Sequence, residues 1–145
     1  MKLTIRRMAR TMTILSLLFV FLVSTANAVT PRISDYFDSI IVDAVAVGYG
    51  NVEVQIDIIA TDLMKEVGAT KVVIYEQTSS GRYSAVKTYT RYNTPSLIVK
   101  NSNTAYVDIT YSGKPGVKYY ASVDVYAKDS SGSETTTYST DVITA

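Results

Sequence analysis

Residues 115–133 read Pro115-Gly116-Val117-Lys118-Tyr119-Tyr120-Ala121-Ser122-Val123-Asp124-Val125-Tyr126-Ala127-Lys128, then Asp129-Ser130-Ser131-Gly132-Ser133. From Tyr119 the odd positions are Tyr, Ala, Val, Val and Ala, and the even ones are Tyr, Ser, Asp, Tyr and Lys. A period of two sends alternate side chains to opposite faces of a strand. One face here is apolar and the other polar-aromatic, the pattern of a half-buried antiparallel strand. A Pro-Gly turn opens the strand and a Ser-Ser-Gly turn closes it. Tyr119 is therefore expected in a core, with Tyr120 and Tyr126 on the opposite face.

The rest of the chain repeats this pattern. A last strand is expected over about 134–143. Upstream, Ala105, Val107, Ile109 and Tyr111 alternate with Tyr106, Asp108 and Thr110, and 97–99 reads as a short edge piece behind a polar 100–103 loop. Pro95 interrupts pairing, because proline cannot donate to a ladder. Residues 82–92 form a two-sided strand and 70–77 another, with Tyr75 facing away from Val72 and Ile74. Residues 61–68 change character. Thr61 or Asp62 can cap a helical turn, Leu63 and Val67 fall one turn apart, and Gly68 can end it. Val52, Val54, Ile56, Ile58 and Ala60 define a strand, the Gly48-Tyr49-Gly50-Asn51 turn precedes it, and 38–47 is the first strand. Seven main strands punctuated by Gly, Asn and Ser predict an all-β, seven-stranded antiparallel Greek-key sandwich.

The N-terminal residues belong to a different physics. Lys2, Arg6, Arg7 and Arg10 precede an apolar run over 12–23, and Ala26-Asn27-Ala28 places small residues at the spacing a signal peptidase reads. The run is shorter than the roughly 20 residues of a membrane span. Expected boundaries are a signal peptide over 1–28, a loose lead-in over 29–37 and a single sandwich domain over 38–145. Localisation is expected to be secreted or extracellular, with no membrane association after cleavage. Removing residues 1–28 takes four of the 14 basic residues and none of the 13 acidic ones, leaving 117 residues of net charge −3. A weakly acidic chain without a basic stripe argues against nucleic acid as a partner. There is no cysteine, so an exported domain must stand on packing alone.

The Pro115-Gly116-x-x-Tyr119 segment, with Val123, Val125 and Ala127 and then Ser131-Gly132-x-Glu134, resembles a fibronectin type III domain, an immunoglobulin-like sandwich. The resemblance implies that Tyr119 is a structural tyrosine corner, its hydroxyl bonded back to the chain just upstream. The tryptophan that family buries in its second strand is absent, and Ile56 or Ile58 stands in for it. As a whole, with its export signal, lone module and lack of cysteine, the chain also resembles small secreted proteins of Gram-positive bacteria.

With no histidine and no cysteine, His-dependent nucleophile systems, His-based zinc sites and thiol chemistry are excluded. No cofactor, catalytic residue or metal ligand is expected. Asp57, Asp62 and Glu66 are the carboxylates that could act on a glycoside or hold calcium, although none sits in a calcium-loop spacing. The distinctive residues are the twelve tyrosines. Tyr75, Tyr120 and Tyr126 are the candidate ligand-binding residues, with Tyr83, Tyr89 or Tyr138 able to extend the patch. Such a face suits a glycan, a cell-wall polymer or a protein; alternatively the rings shield an exposed ladder. The expected function is a non-enzymatic binding or adhesion module. The alternatives are a small carboxylate-dependent hydrolase or accessory module, and a surface component that self-assembles through an edge strand.

Overall fold

The computed structural model describes residues 34–145. The leader, its Ala26 and Ala28, and the lead-in through residue 33 lie outside the described residues. Seven strands follow in order: β1 (Phe37–Ala46), β2 (Asn51–Gln77), β3 (Tyr83–Thr90), β4 (Ile98–Ser112), β5 (Lys118–Lys128), β6 (Ser133–Ser139) and β7 (Ile143–Thr144). All pairings are antiparallel. The architecture is all-β and compatible with a β-sandwich.

One strand carries the connectivity. The first arm of β2 lies between β1 and the 104–112 part of β4. Its second arm lies between β3 and β5, and β5 in turn holds β6. The join is irregular: between Ile59 and Met64 the ladder with β4 skips, and between Ala69 and Lys71 the ladder with β5 skips. The inward parity switches twice along this stretch, between Met64 and Val67 and again at the second irregularity. Val52, Val54, Ile56, Ile58, Ala60 and Met64 are buried at even positions, Val67 and Ala69 at odd ones, and Val72 and Ile74 at even ones again. Both arms thus deliver their apolar sets to one core, which also holds Phe37, Leu97, Val123 and Val125.

Four expectations are corrected here. Residues 61–68 form no helical turn; they continue β2 in extended form, with Leu63 69% exposed while Val67 is fully buried. A lone turn fixes several dihedrals for one hydrogen bond, whereas extension lets Met64, Glu66, Val67 and Gly68 join the ladder with β4. Second, the edge piece over 97–99 and the strand after it are one strand, β4, preceded by a 3-10 turn at Pro95–Leu97. Third, the last strand breaks. Thr140 is buried, and its hydroxyl accepts from Ala121 N–H and donates to the Asp141 carbonyl, dividing β6 from β7. Fourth, β1 begins at Phe37, which is fully buried rather than part of a loose lead-in.

Candidate functional site

On β5 the burial alternates without a fault. Tyr119, Ala121, Val123, Val125 and Ala127 are each fully buried, and Tyr120, Ser122, Asp124 and Tyr126 between them are half-exposed. The register pairs Tyr120 with Tyr75 of β2. Their rings stack at 4.7 Å between centroids and 4° between planes. Tyr83, whose strand partner is Gln77, reaches across to meet Tyr120 edge-on at 5.0 Å and 73°. Tyr75 and Tyr120 each have one ring face covered by the other, and Tyr83 packs against Tyr120 as well. Such offset and edge-on pairs each contribute about 0.5–1.5 kcal/mol beyond area burial.

Tyr126 stands apart. It is six residues from Tyr120 on the same strand, a span of roughly 20 Å. Its ring lies 5.1 Å from the Arg91 guanidinium carbon, and Arg91 in turn forms a 2.7 Å ion pair with Glu66. That hydrogen bond is the main reason the Glu66 carboxyl is held below its usual pKa and the Arg91 guanidinium above its own. Tyr126 also lies opposite Gly68 in the ladder. Between the two aromatic patches run Val73 and Ser122, and then the Lys71–Asp124 ion pair at 3.0 Å. The three tyrosines singled out from sequence therefore divide into a cluster of two and a separate cation–π site.

Of the tyrosines named as extensions, Tyr83 joins the cluster. Tyr89 and Tyr138 do not, because they pair with Val72 and Val123, whose side chains point inward. The Tyr89 hydroxyl instead donates to the Thr110 carbonyl of β4 at 3.2 Å. The bulge in the β2–β3 ladder between Ile74 and Tyr75 shifts parity along β3. That shift has no signature in the 82–92 sequence, so the two sides of β3 could not be assigned from it.

Tyr119 occupies the opposite side of β5. Its phenol oxygen accepts from the Lys114 N–H at 2.9 Å, five residues upstream, and its hydroxyl donates to Glu76 Oε2 at 3.0 Å. Lys114 Nζ closes the network on Glu76 Oε1 at 2.7 Å. Gly113 makes room: a Cβ there would sit 2.8 Å from the Tyr119 phenol oxygen. The proximity of Glu76 was not readable from sequence, since 43 residues separate it from Tyr119.

The candidate carboxylates are dispersed. Asp57 lies opposite Tyr106 on the first arm of β2, Glu66 is engaged by Arg91, and on extended backbone the two are up to roughly 30 Å apart. Asp62 lines a polar depression of about 310 Å³ together with Asp35, Tyr36 and Asp129. Asp129 is turned inward on its own loop, accepting from the Ser131 hydroxyl and from the N–H groups of Ser131 and Gly132, which hold its carboxyl below the usual range. No group of three or more carboxylates placed to hold a metal occurs among the described residues.

No protein-family model matches this chain, and no curated protein matches it.

Proposed function

We propose that the chain is an exported, non-enzymatic module with a fibronectin type III-like Greek-key sandwich, binding a glycan, wall polymer or protein through its tyrosine cluster. The basic, apolar and small-residue succession of residues 2–28 supports export. The seven strands pair as one sheet through β2. What supports a sandwich is that β1 and the 104–112 part of β4 flank the first arm of β2 while β3 and β5 flank the second, a division that suits two layers.

The observation that carries the binding reading is the Tyr75–Tyr120–Tyr83 cluster itself. Three aromatic side chains are gathered on the outer face of a sheet whose inner face already supplies the core. Tyrosine offers rigid, amphipathic contact area of the kind that dominates binding hot spots. The test is a serine triple variant, Tyr75→Ser, Tyr83→Ser and Tyr120→Ser, screened beside the parent against cell-wall polymer, mucin-type glycan and surface protein extracts. Loss of binding at retained fold supports the reading. Unchanged binding in a folded triple variant ends it. Tyr126→Ser reports separately on the distant Arg91 site, whose loss leaves binding to the cluster intact.

A further inference from the structure

The opposite outer face, formed by β1, the first arm of β2 and the 104–112 part of β4, has a different chemistry. The register places Asp43 and Asp108 on either side of Gln55. Glu53 and Asp57 are the next residues on the same face of β2, so four carboxylates ring one glutamine. No lysine or arginine occupies any outward position of these three strands between Ser39 and Val45, Glu53 and Ile59, or Thr104 and Thr110. Elsewhere the carboxylates of Glu66, Glu76 and Asp124 each have a cation within 3.0 Å. Diagonal neighbours on a sheet lie about 7–8 Å apart, close enough for the ring of like charges to act as one negative field.

This face is not merely solvated charge. Ile41, Ile59 and Tyr106 project from it at 58%, 43% and 64% exposure, and Ile41, Asp57 and Tyr106 form one cross-strand row. Asp108, and beyond it Glu53 and Asp57, push the Tyr106 phenol above its usual pKa. Along β1 the outward residues run Ile41, Asp43, Val45, and along β2 they run Asp57, Ile59. Apolar and acidic groups thus alternate every second residue along β1, a repeat of roughly 6.6 Å, while on β2 the outward row continues from Asp57 through Gln55 to Glu53.

We propose that this face is a docking surface for an extended polypeptide segment that presents lysine or arginine and an aliphatic residue alternately on one side. An extended chain places residues i and i+2 on one face at the same repeat, so cations meet the carboxylates while aliphatic groups meet Ile41, Ile59 and Tyr106. Anionic polymers and acidic surfaces are repelled by the same field. The surface is distinct from the tyrosine cluster and does not depend on it.

The probe is a synthetic peptide of repeating Lys-Ser-Leu-Ser units, titrated calorimetrically into the full exported chain at low salt. Binding is expected, weakening several-fold or more between 20 and 200 mM salt. The Asp43→Asn, Asp57→Asn, Asp108→Asn triple variant should bind at least tenfold more weakly. Its melting temperature should equal or exceed the parent's, because three of the four mutually repelling charges have been removed. Replacing the leucines of the probe by serine should weaken binding, and replacing its lysines by glutamate should abolish it. The Ile41→Ser, Tyr106→Ser double variant keeps every charge; it should also weaken binding, and it decides the matter if the triple variant fails to fold. No binding by the parent, or equal binding by both sets of variants, overturns the proposal. So does a dimer of the parent in gel filtration that the triple variant abolishes, since the occupant would then be a second copy.

Discussion

The Tyr119 hydroxyl lies between the Lys114 N–H and the Glu76 carboxylate at 2.9 and 3.0 Å, so removing it leaves two polar groups short of a partner. Tyr119→Phe should cost about 2 kcal/mol, whereas Tyr120→Phe should cost close to nothing, because Tyr120 works through its ring. Denaturant melts of the two variants check the order. Gly113→Ala should destabilise by about 1–3 kcal/mol, since its methyl group would push into the Tyr119 ring and the Gly50 carbonyl. The same network carries a pH dependence. The Lys114 ammonium and then the Tyr119 hydroxyl hold the Glu76 carboxyl below its ordinary pKa. A depressed carboxylate contributes stability that is complete above the unfolded-state value of about 4.3 and is lost as pH falls through the folded-state value. Glu76→Gln should therefore be less stable than the parent at pH 7 and show a shallower loss on acidification below about pH 4.5. Parallel acid-unfolding slopes for the two proteins would remove Glu76 from this role.

At the scale of the element, β2 is decisive because its 27 residues serve two sets of neighbours. Gly68 lies where it crosses. It pairs with Ile98 on one side and Tyr126 on the other, and its φ of +147° is one that L side chains rarely adopt. A Cβ there would strike the Leu97 carbonyl. Gly68→Ala should cost about 3 kcal/mol or more, through backbone strain and overpacking together. Gly81, at φ +81° in an open turn with nothing near its missing Cβ, is the control; Gly81→Ala should cost only about 1–2 kcal/mol. Thermal melts of both variants separate close approach from left-handed backbone. Similar losses at the two positions would mean that the corner tolerates a side chain.

At the scale of the whole molecule, the core has no covalent support, since the sequence contains no cysteine. Val123 is fully buried between Val72 on β2 and Tyr138 on β6 in the pairing order. Val123→Asp would bury a carboxylate without a cation, at a cost of several kcal/mol. Against a typical total stability of 5–15 kcal/mol, that should abolish folding at ordinary temperature, visible as loss of the cooperative transition in circular dichroism. A variant with a parent-like melt would contradict the inward placement of the odd positions of β5.

Alternation alone located β5 and the inward and outward sides of Tyr119 and Tyr120, because a period of two is a local property that neighbouring strands merely read out. It served equally well for the first arm of β2 and for Ala105 to Ile109. It failed where faces switch without a break in the chain. The bulges of β2 are set by ladder partners on β4 and β5, so the spacing of Leu63 and Val67 imitated a helical turn that does not exist. The candidate site divides in the same way. That Tyr120 and Tyr126 share a face followed from parity. That Tyr75 and Tyr83 belong with Tyr120, Tyr126 with Arg91, and Glu76 with Tyr119 was decided by register between strands far apart in the chain. Register depends on packing two arms of one strand into a single core, and no short window of residues contains that information.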